Sequence, residues 1–397
     1  MRNFKILLSL ALPATVIMFT MHSCRKIIPA TGTPVLQLPS TLYNYGQVKD
    51  EGKMVDVKLK IKDESKGFFS NASATLGRVL FYDKNLSINN NISCGSCHHQ
   101  SKAFSDGLAA SPGFANQTTP RNSMAILNVA DNNNMFWDSR SKSPLDLALQ
   151  PVFNHLEMGM ETEAMLVSKL KTIDYYKPLF KEAFSSEEIT QKKVSLALSN
   201  FLSSVYSKDS KFDREKKNNF VGFTPLEKMG KSLFESQRML CSSCHSTQNF
   251  SAPDHPGGAY GGGTRVSNPN IMPHTEPVQQ SFNPNDPKGT ANIGLDEVYK
   301  DNGFGQGQFK IPSLRNIELT GPYMHDGRFA TLSEVIDHYS HGIKNHPNLD
   351  AKLRFNGQAR KINITEHEKT ALIAFLKTLT DYSLLDDPKF ADPFVLK

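Results

Sequence analysis

Three apolar patterns follow one another along the chain. A largely apolar run from Ile6 to about Phe19 comes after Arg2 and Lys5. It is too short and too early for a permanent membrane span, and its layout is that of a signal peptide over residues 1–24. Residues 25–60 open with PATGTPVLQLP and show no helical periodicity, so they are expected to form a tether and an extended lead-in. Beyond them, apolar residues recur at helical spacing, most clearly in ALSNFLSSV from Ala197 and ALIAFLKTL from Ala371. Strand patterns are limited to short pieces, and the expected fold class is mainly α.

The helical pattern is used twice. Gly77-Arg78-Val79-Leu80-Phe81 precedes one cysteine pair, and Gly230-Lys231-Ser232-Leu233-Phe234 precedes another. A Phe-Ser pair follows each, Phe104-Ser105 and Phe250-Ser251, and each half closes on one of the two helices quoted above. Two helix starts support this division. Thr224-Pro225-Leu226-Glu227 and Thr365-Glu366-His367-Glu368 both read as capping boxes, the first with proline at the first helical position. The expected organisation is a domain over 61–215 and a second over 216–397, with the boundary near 210–223. A Gly/Pro/Asn-rich stretch between about 251 and 310, including PGGAYGGG and NPNDPKG, is expected to be an irregular loop that wraps the second site.

Charge changes this picture little. The 45 basic and 39 acidic residues leave a net charge of +6, and a leader holding Arg2 and Lys5 but no acid accounts for two of those charges. The basic residues are scattered without a polybasic run, so nucleic acid is not an expected partner.

Cysteine placement changes it a great deal. Cys24 lies directly after the apolar run, where a lipoprotein leader places its acylated cysteine, although Met21 and His22 are unusual before such a site. The expectation is a periplasmic protein held to a membrane only by a lipid anchor; the alternative is ordinary leader cleavage with Cys24 lost or free. The other four cysteines form CGSCH and CSSCH. Thiolates two residues apart can bind zinc, cycle a disulfide or add to the vinyl groups of haem. The pairs are too far apart for a compact four-cysteine zinc site, and no βαβ context supports a thioredoxin-like motif. A histidine directly after each pair points to covalent haem c. Cys94 and Cys97, then Cys241 and Cys244, would form the thioethers, and His98 and His245 would be the proximal iron ligands. The expected architecture is therefore two cytochrome c-like haem domains in tandem, carrying two covalently bound haem c groups.

Several further motifs occur in order: LGRVLFYDKNLSINNNISCGSCH, TPRNSMAILN, MFWDSRSKSPLDLALQPVFNHLEMG and FKIPSLRNIELTGPYMHDGRFATLSEVIDHY. Together they resemble the diheme cytochrome c peroxidase and MauG family from about residue 70 to the C-terminus. The resemblance implies that the N-terminal haem binds and splits hydrogen peroxide while the C-terminal haem passes electrons to it. It implies a distal acid at Glu157, an inter-haem tryptophan at Trp137, and a calcium ion near Asn122, Thr320 and Pro322. It also implies an electron donor, a small c-type cytochrome or a cupredoxin, and a homodimer is an assembly open to the chain.

Two features depart from the peroxidase pattern. Many relatives carry a distal histidine between the positions of Asp106 and Arg121, but GLAASPGFANQTTP holds neither histidine nor methionine. Unless His155 or another loop residue fills that place, the first haem is expected to rest open on one side. Where peroxidases place an axial methionine for the second haem, this chain has Tyr339, as MauG-type members do. Tyrosinate would lower the potential of that haem. Met324 is the alternative ligand, and His338 and His341 flank the tyrosine. The leading expectation is an exported peroxidase that reduces hydrogen peroxide to water. A MauG-like oxidase acting on a protein or organic substrate is the second, and a non-catalytic diheme electron carrier the third.

Overall fold

The computed structural model describes residues 32–50, 52–56, 69–132, 134–252, 290–295 and 307–397. The leader, Cys24 and most of the Gly/Pro/Asn-rich stretch lie outside them. Among the described residues no helix is long and apolar enough to cross a membrane.

The fold is mainly helical. The first half contains α1 (Asn71–Tyr82), α2 (Cys94–Cys97), α3 (Pro144–Leu147), α4 (Gln150–Phe153), α5 (Glu163–Lys171), α6 (Tyr176–Phe184) and α7 (Gln191–Ser204). After α8 (Lys211–Lys216) come α9 (Pro225–Glu235), α10 (Cys241–Cys244), α11 (Leu332–Asp337) and α12 (Glu366–Lys377). Both anticipated capping boxes form. The Thr224 and Thr365 hydroxyls accept from the backbone N–H groups of Glu227 and Glu368, whose carboxylates reach back to the caps.

The repeated sequence produces a repeated helix pair. In the first core, α1 crosses α7 so closely that a Cβ on Gly77 would sit 2.0 Å from the Ala197 carbonyl oxygen. In the second, α9 crosses α12, and a Cβ on Gly230 would sit 1.9 Å from the Ala371 carbonyl oxygen. Phe81, Phe201 and Phe390 fill the first core, while Phe234, Phe250 and Phe375 fill the second. Each such side chain contributes roughly 1.5–3 kcal/mol relative to an exposed one.

Among the described residues, four two-stranded antiparallel ladders complete the architecture. β1 (Pro34–Leu36), inside the lead-in, pairs with β8 (Phe394–Leu396) at the end of the chain. Tyr45 from the same lead-in is fully buried in the first core. The lead-in therefore docks on the body in part, because its apolar residues find partners on the returning C-terminal segment. β2 (Gln47–Asp50) pairs with β3 (Lys53–Asp56), and β4 (Thr290–Ala291) with β5 (Phe309–Lys310). β6 (Arg354–Phe355) and β7 (Gln358–Ala359) form a hairpin whose turn residues, Asn356 and Gly357, both have positive φ. An Asn-Gly pair is suited to that turn because both residues tolerate the left-handed region.

Candidate active site

Each cysteine pair spans one helical turn and ends on its histidine. In α2 the N–H of His98 donates to the Cys94 carbonyl at 3.0 Å, and in α10 His245 does the same to Cys241 at 3.0 Å. The imidazoles are then oriented in the same way. His98 Nδ1 is 2.8 Å from the Phe104 carbonyl and His245 Nδ1 is 2.7 Å from the Phe250 carbonyl. A carbonyl only accepts, so Nδ1 carries the proton in both rings and Nε2 keeps its lone pair. Both phenylalanines have positive φ, which turns their carbonyls toward the rings. The repeated Phe-Ser pairs thus have a function that sequence reading noticed only as repetition.

Burial sets the charge states. It lowers the pKa of His98 and takes that of His245 down to about 4, so both rings are neutral at ordinary pH. It pushes the Cys94 and Cys241 thiols up to about 12 and Cys97 to about 11, and it raises Cys244. Thiols held this high are poor zinc donors and poor redox nucleophiles, whereas a neutral thioether carries no such burden. Among the described residues no cluster of three or more His, Cys, Asp or Glu side chains could hold a metal ion.

Both motifs open onto one continuous cavity of about 660 Å³. Its lining includes His98 and His245, all four cysteines of the pairs, and Glu157, Trp137 and Tyr339. The cavity is mostly apolar, and both neutral imidazoles lie on its wall. The residues present therefore fit two covalently attached haem groups.

Glu157 is half-buried on the first-motif side, where its charge is felt at Cys94 and Cys97. Asn154 Nδ2 donates to Glu157 Oε1 at 2.8 Å. Burial raises its carboxyl pKa, and the Arg140 guanidinium and Asn154 oppose that only in part. The Glu157 carbonyl accepts the N–H of Phe114 at 2.9 Å, and a Cβ on Gly113 would lie 1.8 Å from the Leu156 carbonyl oxygen. The loop without a distal histidine is thus packed directly against the loop that carries the acid. His155 is exposed and does not line the cavity; the histidines among its described lining residues are His98, His245 and His325.

Trp137 sits at the seam between the halves. Its Nε1 donates to the Asn122 carbonyl at 2.9 Å, and its own carbonyl accepts the N–H of Lys310 at 2.7 Å. Asn122, Thr320 and Pro322 all line the cavity nearby, and Asn122 Nδ2 donates to the Leu108 carbonyl at 2.8 Å.

On the second-motif side, Tyr339 lies in a π-helical turn, His338–Gly342, that continues α11. Burial, then the nearby Cys244 and Cys241, hold its phenol well above the ordinary range. Met324, with a φ of 75°, also lines the cavity. His338 Nε2 meets the Ile293 carbonyl at 2.9 Å, and His341 is exposed. Neither of these histidines lines the cavity, whereas Tyr339 does.

Sequence reasoning missed Asn154 and Arg140, which face the acid, and Phe104 and Phe250, whose carbonyls orient the imidazoles. The repeat itself was the signal for the last two.

Known proteins agree with this geometry. The family model described as di-haem cytochrome c peroxidase matches residues 71–219. The chain is 32% identical over 317 residues to the methylamine utilization protein MauG of Methylorubrum extorquens, covering 77% of each chain. It is 30% identical over 322 residues to the cytochrome c551 peroxidase of Nitrosomonas europaea, covering 81% of this chain and 83% of that one. Among solved structures, a MauG-like protein associated with microbial copper homeostasis shares 32% identity with a TM-score of 0.67, covering 83% of this chain and 95% of that one. The diheme peroxidase BthA of Burkholderia thailandensis, at 19% identity and a TM-score of 0.62, shares the fold. Relatives on both branches match over both motifs, and the chain belongs to the di-haem cytochrome c peroxidase and MauG family of peroxidase-type oxidoreductases.

Proposed function

We propose that the protein reduces hydrogen peroxide to water at the first motif, with electrons delivered by a small redox protein at the second. The supporting observation is Glu157, a carboxyl of raised pKa held on the wall of the His98 cavity by Asn154. Haem attached at the two motifs would supply the iron that binds peroxide and the path for its two electrons. The chain's own residues then manage protons and position. His98 and His245, fixed by the Phe104 and Phe250 carbonyls, would hold the haem iron through Nε2. Asn154 occupies Oε1 of Glu157 and leaves Oε2 for substrate, so the carboxyl can deliver the proton that the departing oxygen of peroxide needs. Trp137, tied across the seam, would link the two sites electronically.

Tyr339 would be a further protein ligand to the iron at the second site, supported by its closeness to Cys244 and Cys241. Oxygen atoms of Asn122, Thr320 and Pro322 would hold calcium beside Trp137, a role supported by their shared place along the seam. The domain division near 210–223, export to the periplasm and a lipid on Cys24 complete the reading.

A MauG-like oxidase is the second reading, favoured by Tyr339 and by the 32% identity to MauG. Peroxide consumption by the holoprotein, measured with and without a reduced cytochrome donor, separates the two. Donor-dependent turnover to water supports the peroxidase; slow consumption that no donor accelerates would overturn it.

A further inference from the structure

The β6–β7 hairpin gathers charge that is spread out along the sequence. Between Gly342 and Lys361 stand Lys344, Lys352, Arg354, Arg360 and Lys361 against one acid, Asp350. The hairpin folds these together. Arg360 N–H donates to the Leu353 carbonyl at 2.8 Å, Asn345 Nδ2 meets Gln358 Oε1 at 3.4 Å, and Ile362 N–H donates to the Ser340 carbonyl at 2.8 Å. Lys344, Lys352 and Lys361 are exposed. So is Phe355, whose ring on β6 remains 66% exposed. Phe355 thus stands exposed on a segment that carries five cations against one acid.

The root of this hairpin touches the second motif. Lys352 Nζ donates to the Ser243 carbonyl at 3.0 Å and lies 3.9 Å from Cys244 Sγ. A partner seated on the hairpin would therefore lie against the CSSCH segment. An apolar anchor within a basic rim suits a transient partner with an acidic face, because the rim steers encounter and the anchor fixes the dock. A lone phenylalanine on a two-stranded turn is a poor membrane anchor, which needs a broad apolar face.

We infer that the β6–β7 hairpin face, with Phe355 as anchor and Lys344, Arg360 and Lys361 as rim, is the docking surface for an acidic small electron-transfer protein. The inference deepens the peroxidase reading and rests on it for the direction of electron flow. Its test is calorimetric titration of the holoprotein with an acidic plastocyanin and, separately, with a basic mitochondrial cytochrome c, at about 10 mM and about 200 mM salt. The acidic protein should bind, about tenfold more weakly at the higher salt. Lys344→Gln, Arg360→Gln and Lys361→Gln together should weaken low-salt binding about tenfold and flatten the salt dependence. Phe355→Ala should weaken binding by a similar factor at both salts.

Equal binding of the basic protein, or an acidic-protein Kd unchanged by these variants, would overturn the inference. So would anionic phospholipid vesicles that bind the holoprotein through the same side chains while plastocyanin does not. Peroxide turnover with a small uncharged reductant is followed in parallel. Docking without turnover sinks the peroxidase reading and leaves the surface standing; turnover without docking sinks the surface alone.

Discussion

At the scale of single residues, Glu157 carries the clearest consequences. Replacing it with glutamine keeps shape and hydrogen bonding but removes the proton, so peroxide turnover should fall about a hundredfold with both haems retained. Single-turnover kinetics and the haem absorbance spectrum check this together. The raised pKa also predicts a stability effect of definite sign. A carboxyl raised from 4.5 in the fold contributes stability that is present below that value and lost as pH rises through its folded pKa. Glu157→Gln should therefore gain in Tm relative to the wild type between pH 4 and pH 7, which thermal unfolding at the two pH values measures. Asn154→Ala removes a hydrogen bond that opposes the raised pKa. The pH profile of turnover should then shift toward higher pH, an outcome that a purely structural role for Asn154 would not produce.

At the scale of elements, the two glycines at the helix crossings are the critical positions. Alanine at Gly77 would gain about 1 kcal/mol of helix propensity. It would also drive a methyl into a backbone carbonyl that cannot swing aside, an overpacking penalty of about 1–3 kcal/mol or more. Crowding wins, so Gly77→Ala and Gly230→Ala should each lower the Tm, the first loosening the α1–α7 pair and the second the α9–α12 pair. Hydrogen exchange resolved by segment distinguishes the two. The same crossing explains why the repeats were legible: Gly77 meets Ala197 and Phe201 as Gly230 meets Ala371 and Phe375, in matching order. The β6–β7 hairpin was less legible, because strands of two residues leave no alternating pattern to read.

At the scale of the whole molecule, a buried polar network joins the halves. Arg315 grips Asp213 with two contacts of 2.8 Å and also donates to Asn249 Oδ1 at 3.2 Å. Asn128 Nδ2 donates to that same oxygen at 2.7 Å, linking the first half to the second. Arg315→Met would strand a buried carboxylate and should cost about 3–5 kcal/mol. Combining it with Asp213→Leu should recover much of that loss, and a chemical-denaturation double-mutant cycle tests the pairing. Burial pushes the Asp213 carboxyl up, but Arg315 outweighs this and holds it below 3.8. Its contribution is present above that pH and fades as pH falls through the lower folded value.

The sequence by itself determined what depends on local chemistry. The two CxxCH motifs, the capped helices and the duplicated helix pair all rest on residues close together in the chain, where spacing alone sets geometry. Tertiary structure decided what depends on distant residues meeting. It placed both motifs on one cavity, set Asn154 on Glu157, returned Leu384 and Phe390 to the first core, and brought Lys352 beside Cys244. Burial did the rest, since the shifts of His245 and Glu157 arise from surroundings that no window of sequence contains.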